Sequence, residues 1–128
     1  MKKEDVVKFE SLESQLKGLY EEMQALTRKS PNDAINKFKL ELINNILGEV
    51  NPFLAALGYP LKYFQSFKED LLPFNSDVLL VLSQYLSRME NLRSDNIKPG
   101  GLHLQSWFWV IDDNSSNIQN ASPNKIKN

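Results

Sequence analysis

The chain contains no cysteine, so disulfides, thiolate metal sites and cysteine nucleophiles are excluded. It has a single histidine, His103. A zinc site built from nitrogen and sulfur ligands has no second member to recruit, and a serine-based triad would have one candidate base. No Gly-x-Ser-x-Gly turn is present. The five glycines form no phosphate-cradling loop, since Pro99-Gly100-Gly101 has neither the glycine spacing nor the following lysine. The acidic pairs Glu69-Asp70 and Asp112-Asp113 are sequence neighbours, whose side chains point apart on helices and strands alike. Neither reads as an acid–base dyad, and His103 reads as a partly exposed bystander beside a turn. No catalytic residues, no metal and no cofactor are expected.

Long apolar runs and charge of one sign are missing too. No apolar run, Val78 to Leu82 among them, exceeds five residues, far short of the roughly 20 needed to cross a bilayer. At Met1-Lys2-Lys3-Glu4-Asp5 a basic tip runs straight into acid, where a signal peptide would need an apolar stretch. A cytoplasmic protein with no membrane partner is expected. Net charge is −1, and residues 1–30 carry six basic and six acidic side chains. Nucleic-acid binding draws its affinity from a concentrated basic face, and no such face is visible along the chain.

What is present is helical periodicity. Phe9, Leu12, Leu16, Leu19, Met23 and Leu26 recur at 3-4-3-4-3 spacing, one stripe of a helix over about 4–29. The stripe is shorter than three heptads. It therefore suits docking on a bundle better than a homotypic coiled coil. Glu13 and Lys17 stand four apart in the favourable order on its outer side. Ser30-Pro31-Asn32-Asp33 offers a cap and a first helical residue for a second helix. That helix is expected to run to about Val50, with Ile35, Phe38, Leu42, Ile43, Ile46, Leu47 and Val50 on an apolar face wide enough for two neighbours. Asn51-Pro52 predicts a kink or a fresh turn, and Gly58 a stop.

Residues 59–74 are the most aromatic part of the chain. The spacing of Leu61, Phe64, Phe67 and Leu71 suggests a short fourth helix over about 61–71. A third long helix is expected over 76–94. Its start, Val78-Leu79-Leu80-Val81-Leu82, is apolar all round, and Arg88, Glu90 and Arg93 are expected to face water at its other end. After the turn signal Pro99-Gly100-Gly101, residues 102–111 read as a strand. Trp107, Trp109 and Ile111 lie on one side of it, and Leu104, Phe108 and Val110 on the other. Partners for it are scarce: Asn96–Lys98, or a hairpin turning at Gln105-Ser106. The polar residues 113–128 are expected to remain a disordered tail.

The expected fold is mainly α, a three- to four-helix bundle with one or two short C-terminal strands in a single domain over residues 1–112. With catalytic parts missing, the candidate functional residues are aromatics suited to protein contact. These are Trp107, Phe108 and Trp109 on the strand, and Tyr63, Phe64 and Phe67 in the irregular segment. The expected partner is another protein chain, a second copy included. The competing expectation is a nucleic-acid-associated regulator, with the third helix and 96–111 arranged like a winged helix and Arg88, Arg93 and Lys98 as its basic groups.

Overall fold

A computed structural model describes residues 1–112 and 114–124 of the chain. Three helices, α1 (Lys3–Lys29), α2 (Lys37–Leu57) and α3 (Asn75–Asp95), precede three strands, β1 (Ile97–Gly100), β2 (Ser106–Ile111) and β3 (Asn114–Asn120). The fold is mainly α with C-terminal strands. No described helix is long and apolar enough to cross a membrane.

α1 follows its sequence stripe. Asp5 caps its start by accepting from the Lys2 backbone N–H at 2.9 Å, and Phe9, Leu12, Leu16 and Met23 are buried while Leu19 and Leu26 pack half-exposed on the same core. Outside, Glu13 and Lys17 pair at 3.6 Å. The stripe lies mainly along α3, and α1 touches α2 more sparingly.

α2 departs from expectation at both ends. It begins at Lys37, capped by the Asn36 side chain accepting from the Lys39 N–H, not at Pro31. Ser30 instead closes α1, its N–H bonding Leu26 O. The chain between turns at residues 31–33 and then bonds backbone elsewhere: Ile35 N–H donates to Pro73 O, and Asn75 N–H to Asp33 O. Burial of Ile35 fixes that connection. At the other end Pro52 does not break the helix. Its ring crowds the carbonyl four residues back, that of Gly48, and the helix nonetheless continues to Leu57. Buried Phe53 and Leu54 hold the last turn to the core. Gly58 then terminates the helix at φ +92°, a left-handed conformation that glycine adopts without strain.

The fourth helix is absent: residues 59–73 form turns and irregular chain. Two asparagines of α2, seven residues apart and so on one face, supply the backbone bonds a helix would have made internally. Asn44 accepts from Phe67 N–H and donates to Phe67 O, both at 2.9 Å. Asn51 donates to Gln65 O at 2.8 Å and accepts from the buried Tyr85 hydroxyl at 2.7 Å.

The exposure of α3 reverses the expected gradient. Val78 and Leu82 are buried near its start, but Leu80 is 61% exposed. Towards its end Met89, Glu90, Leu92 and Arg93 are all buried. The cover there comes from the sheet and from residues 120–124, which the polar composition had left without structure.

That sheet is antiparallel in the order β1-β2-β3. β1 pairs Ile97 with Trp109 and Gly100 with Ser106, so the weak Asn96–Lys98 candidate lies at the true partner strand. Residues 102–104 are a 3₁₀ turn rather than strand. β3 is a third strand where a disordered tail was expected. Its single apolar residue, Ile118, packs on the core beside Trp107 and Ile111, and its remaining gain is backbone pairing with β2. Residues 113 and 125–128 of the expected tail lie outside the described residues.

Candidate functional site

Of the six aromatics singled out from sequence, most serve the interior. Trp109 is fully buried, its ring meeting Phe9 edge-on at 5.1 Å. It is therefore a core residue and not a contact surface. Trp107 packs half-buried on the same core. Phe108 lies on the opposite side of the sheet over Gly100, where an added Cβ would stand 3.0 Å from its ring. Phe64 and Phe67 also pack against the core, 4.7 Å apart and edge-on, with Phe64 6.3 Å from Tyr85. Tyr63 alone is open, at 96% exposure.

The ionisable groups that the fold perturbs move away from neutral pH. Burial pushes the Tyr59 hydroxyl up to about 12, reinforced by its hydrogen bond to Asp95 and that carboxylate's charge. Burial also raises Tyr85, partly offset by the bond to Asn51. For Glu90 burial acts upward, but the Arg93 guanidinium, the Asn124 N–H and the Lys17 charge together hold its carboxyl below the usual range. A general acid or base needs a pKa near its working pH, and these three shifts run the other way. Glu69, Asp70 and Asp112 are exposed. His103 is exposed between Leu102 and Leu104 in the β1–β2 connection, with a left-handed φ of 61°. Among the described residues no three His, Asp or Glu side chains converge as a metal site.

The basic groups differ in their availability. Arg93 is 4% exposed and engaged with Glu90 and the C-terminal segment. Arg88 is half-buried and Lys98 exposed on β1.

The surface that stands out was read from sequence as interior. Phe38 is 67% exposed and Leu42 43% exposed on α2. Beside them, where α1 and α2 part, lies an apolar groove of about 370 Å³. Gln15, Gly18 and Leu19 form its α1 wall, and Leu42, Asn45 and Ile46 its α2 wall. None of the residues lining it is charged, although twelve charged side chains fall within residues 1–30. Gly18 keeps its floor open: a Cβ there would meet nothing within 4 Å. Sequence did carry a signal for this surface. The apolar arc of α2 was wider than one neighbour could cover; α2 touches both α1 and α3, yet Phe38 and Leu42 remain exposed.

No protein-family model matches this chain, and no curated protein and no solved structure matches it either.

Proposed function

We propose that this chain is a small cytoplasmic protein–protein interaction module, an accessory subunit, adaptor or inhibitor that acts by occupying a surface and without catalysis. One observation carries the reading. An uncharged groove lined by exposed Leu42 separates α1 from α2, and exposed Phe38 stands one turn before Leu42 on α2. Exposed contiguous apolar surface of this kind marks interaction sites on soluble proteins, and large aromatics supply much of the binding energy at such sites. Tyr63 and the half-buried Phe108 are secondary contact points.

The nucleic-acid alternative loses support from Arg93, one of its three basic groups, because that guanidinium is spent inside the fold. Affinity capture of the intact protein from its own cells tests the proposal. A partner recovered with the wild-type chain and lost with Leu42→Glu supports it. Micromolar, salt-sensitive duplex binding that survives Leu42→Glu would overturn it in favour of the regulator.

A further inference from the structure

The groove between α1 and α2 is apolar inside and acidic around its edge. Of the charged side chains one helical turn from a residue that lines it, the basic ones are Lys17 and Lys39. Both are spent: Lys39 pairs with Glu22 at 3.0 Å and Lys17 with Glu13 at 3.6 Å. Glu10 and Glu21 on α1, with Glu41 and Glu49 on α2, stand equally close to the lining. These four are exposed and have no ion-pair partner among the described residues. Net charge over the whole chain is only −1, so the acidic rim is a local feature.

The exposed faces of the two helices continue past the groove. On α1, Val7, Ser11, Ser14 and Gly18 follow one another at spacings of four, three and four, an uncharged stripe. Val7 is exposed at one end of it, and at the other a Cβ on Gly18 would meet nothing within 4 Å. From Val7 to Gly18 the helix rises about 16 Å, or about three turns. On α2, exposed Phe38 and Leu42 stand one turn apart. The space suits an occupant that is long, narrow and apolar along one side. A helix of about three turns with apolar residues at i, i+4 and i+7 has that shape.

We infer that the groove binds a basic amphipathic helix of another protein, its apolar stripe seated between Leu19 and Leu42 and its lysine or arginine side chains meeting the four free carboxylates. The inference rests on the surface-binding role and names the chemistry of the partner. Charge complementarity selects this occupant. A second copy would bring Glu41 and Glu49 towards the same residues of its mate, with Lys17 and Lys39 already engaged. An acidic helix would meet the same repulsion.

The probe is a designed peptide of about 14 residues, leucine along one helical face and lysine over the rest. Its counterpart carries glutamate in place of every lysine. Fluorescence anisotropy of each labelled peptide, titrated with the full chain, is expected to show saturable binding of the lysine peptide. The glutamate peptide should bind about tenfold more weakly or worse. Added salt should weaken the lysine peptide's binding, because the rim charges are exposed and screened. Gly18→Leu distinguishes the groove from general attraction. It alters no charge, fills the open floor and favours the helix, so helical circular dichroism should persist while affinity falls about tenfold or more. Glu41→Lys with Glu49→Lys should reverse the preference between the two peptides.

No binding of the lysine peptide, equal binding of both peptides, or binding undiminished in Gly18→Leu overturns the basic helix as occupant. Light scattering at twice the 14.7 kDa chain mass, reverting to monomer in Gly18→Leu, overturns it in favour of a second copy. The broader role fails separately, when capture of a foreign partner is indifferent to Leu42→Glu.

Discussion

Arg93 grips Glu90 with two parallel hydrogen bonds, Nε to Oε1 and Nη2 to Oε2, each at 2.9 Å. The remaining guanidinium N–H groups reach past Glu90 to the C-terminal segment. They donate to Ala121 O and Ser122 O at 2.8 Å and to Asn120 Oδ1 at 3.3 Å. Asn124 completes the ring, its backbone N–H donating to Glu90 Oε2 at 2.9 Å. A polar segment with little apolar surface to bury is thus tied down by charge-assisted bonds, roughly twice as strong as neutral ones.

Removing one partner of this buried pair leaves an uncompensated charge in the interior. Arg93→Met is expected to cost about 3–5 kcal/mol in denaturant unfolding. Replacing both, Glu90→Leu with Arg93→Met, should recover most of that loss, since an apolar pair needs no compensation. Both variants should free residues 120–124, seen as faster proteolysis there. Equal stability of the single and double variants would contradict the account.

The same pair sets an acid limit. The folded-state pKa of Glu90 lies below its ordinary value of about 4.5. Its contribution to stability is therefore fully present above that value and is lost as pH falls through the lowered one. Unfolding free energy measured from pH 6 downward should decline for the wild type in that window. Glu90→Gln should flatten the decline while lowering stability at neutral pH.

On the alkaline side Tyr59 behaves in the opposite sense. Its hydroxyl ionises near 12 instead of 10, because burial and the Asp95 carboxylate disfavour the phenolate. The stability it adds is present below pH 10 and is lost as pH rises through about 12. Absorbance titration of the phenolates should show late-ionising tyrosines, one of which disappears in Tyr59→Phe while that of Tyr85, also raised by burial, remains. In Asp95→Asn the Tyr59 transition should move down towards the ordinary value.

Asn44 bonds both backbone groups of Phe67, the pairing that a neighbouring strand would make. Asn44→Ala leaves that N–H and C=O without partners, at a cost of about 1–3 kcal/mol. Hydrogen exchange should quicken across 60–70 while the three helices keep their protection. Uniform loss of protection would instead assign Asn44 to the global core.

What the sequence disclosed divides along the range of the forces involved. The stripe from Phe9 to Leu26 was legible because helical bonds and helical spacing are both local. The run Leu61, Phe64, Phe67, Leu71 has similar spacing, yet its backbone partners are Asn44 and Asn51, lying 23 and 14 residues away. No local pattern reports such bonds. β3 was hidden for the same reason: its pairing partner and its Arg93 anchor lie outside the segment, whose own composition argues for disorder. Glu90 and Arg93 resemble an exposed pair three apart until the sheet and residues 120–124 cover them. The groove was misread in the reverse direction, for Phe38 and Leu42 look like core until the neighbours run out.

Trp109 combines a filled core position with an unmet polar group. Its ring packs edge-on against Phe9, but its indole N–H is buried with no acceptor among the described residues. An orphan buried donor costs about 1–3 kcal/mol. Trp109→Phe removes that donor and vacates only part of the site, so the two effects oppose each other, and stability should stay within about 1 kcal/mol of wild type. Trp109→Ala empties the site and should cost about 3–5 kcal/mol. Denaturant midpoints of the two variants decide the matter, because a Phe variant as unstable as the Ala variant would mean that the indole N–H has an acceptor after all.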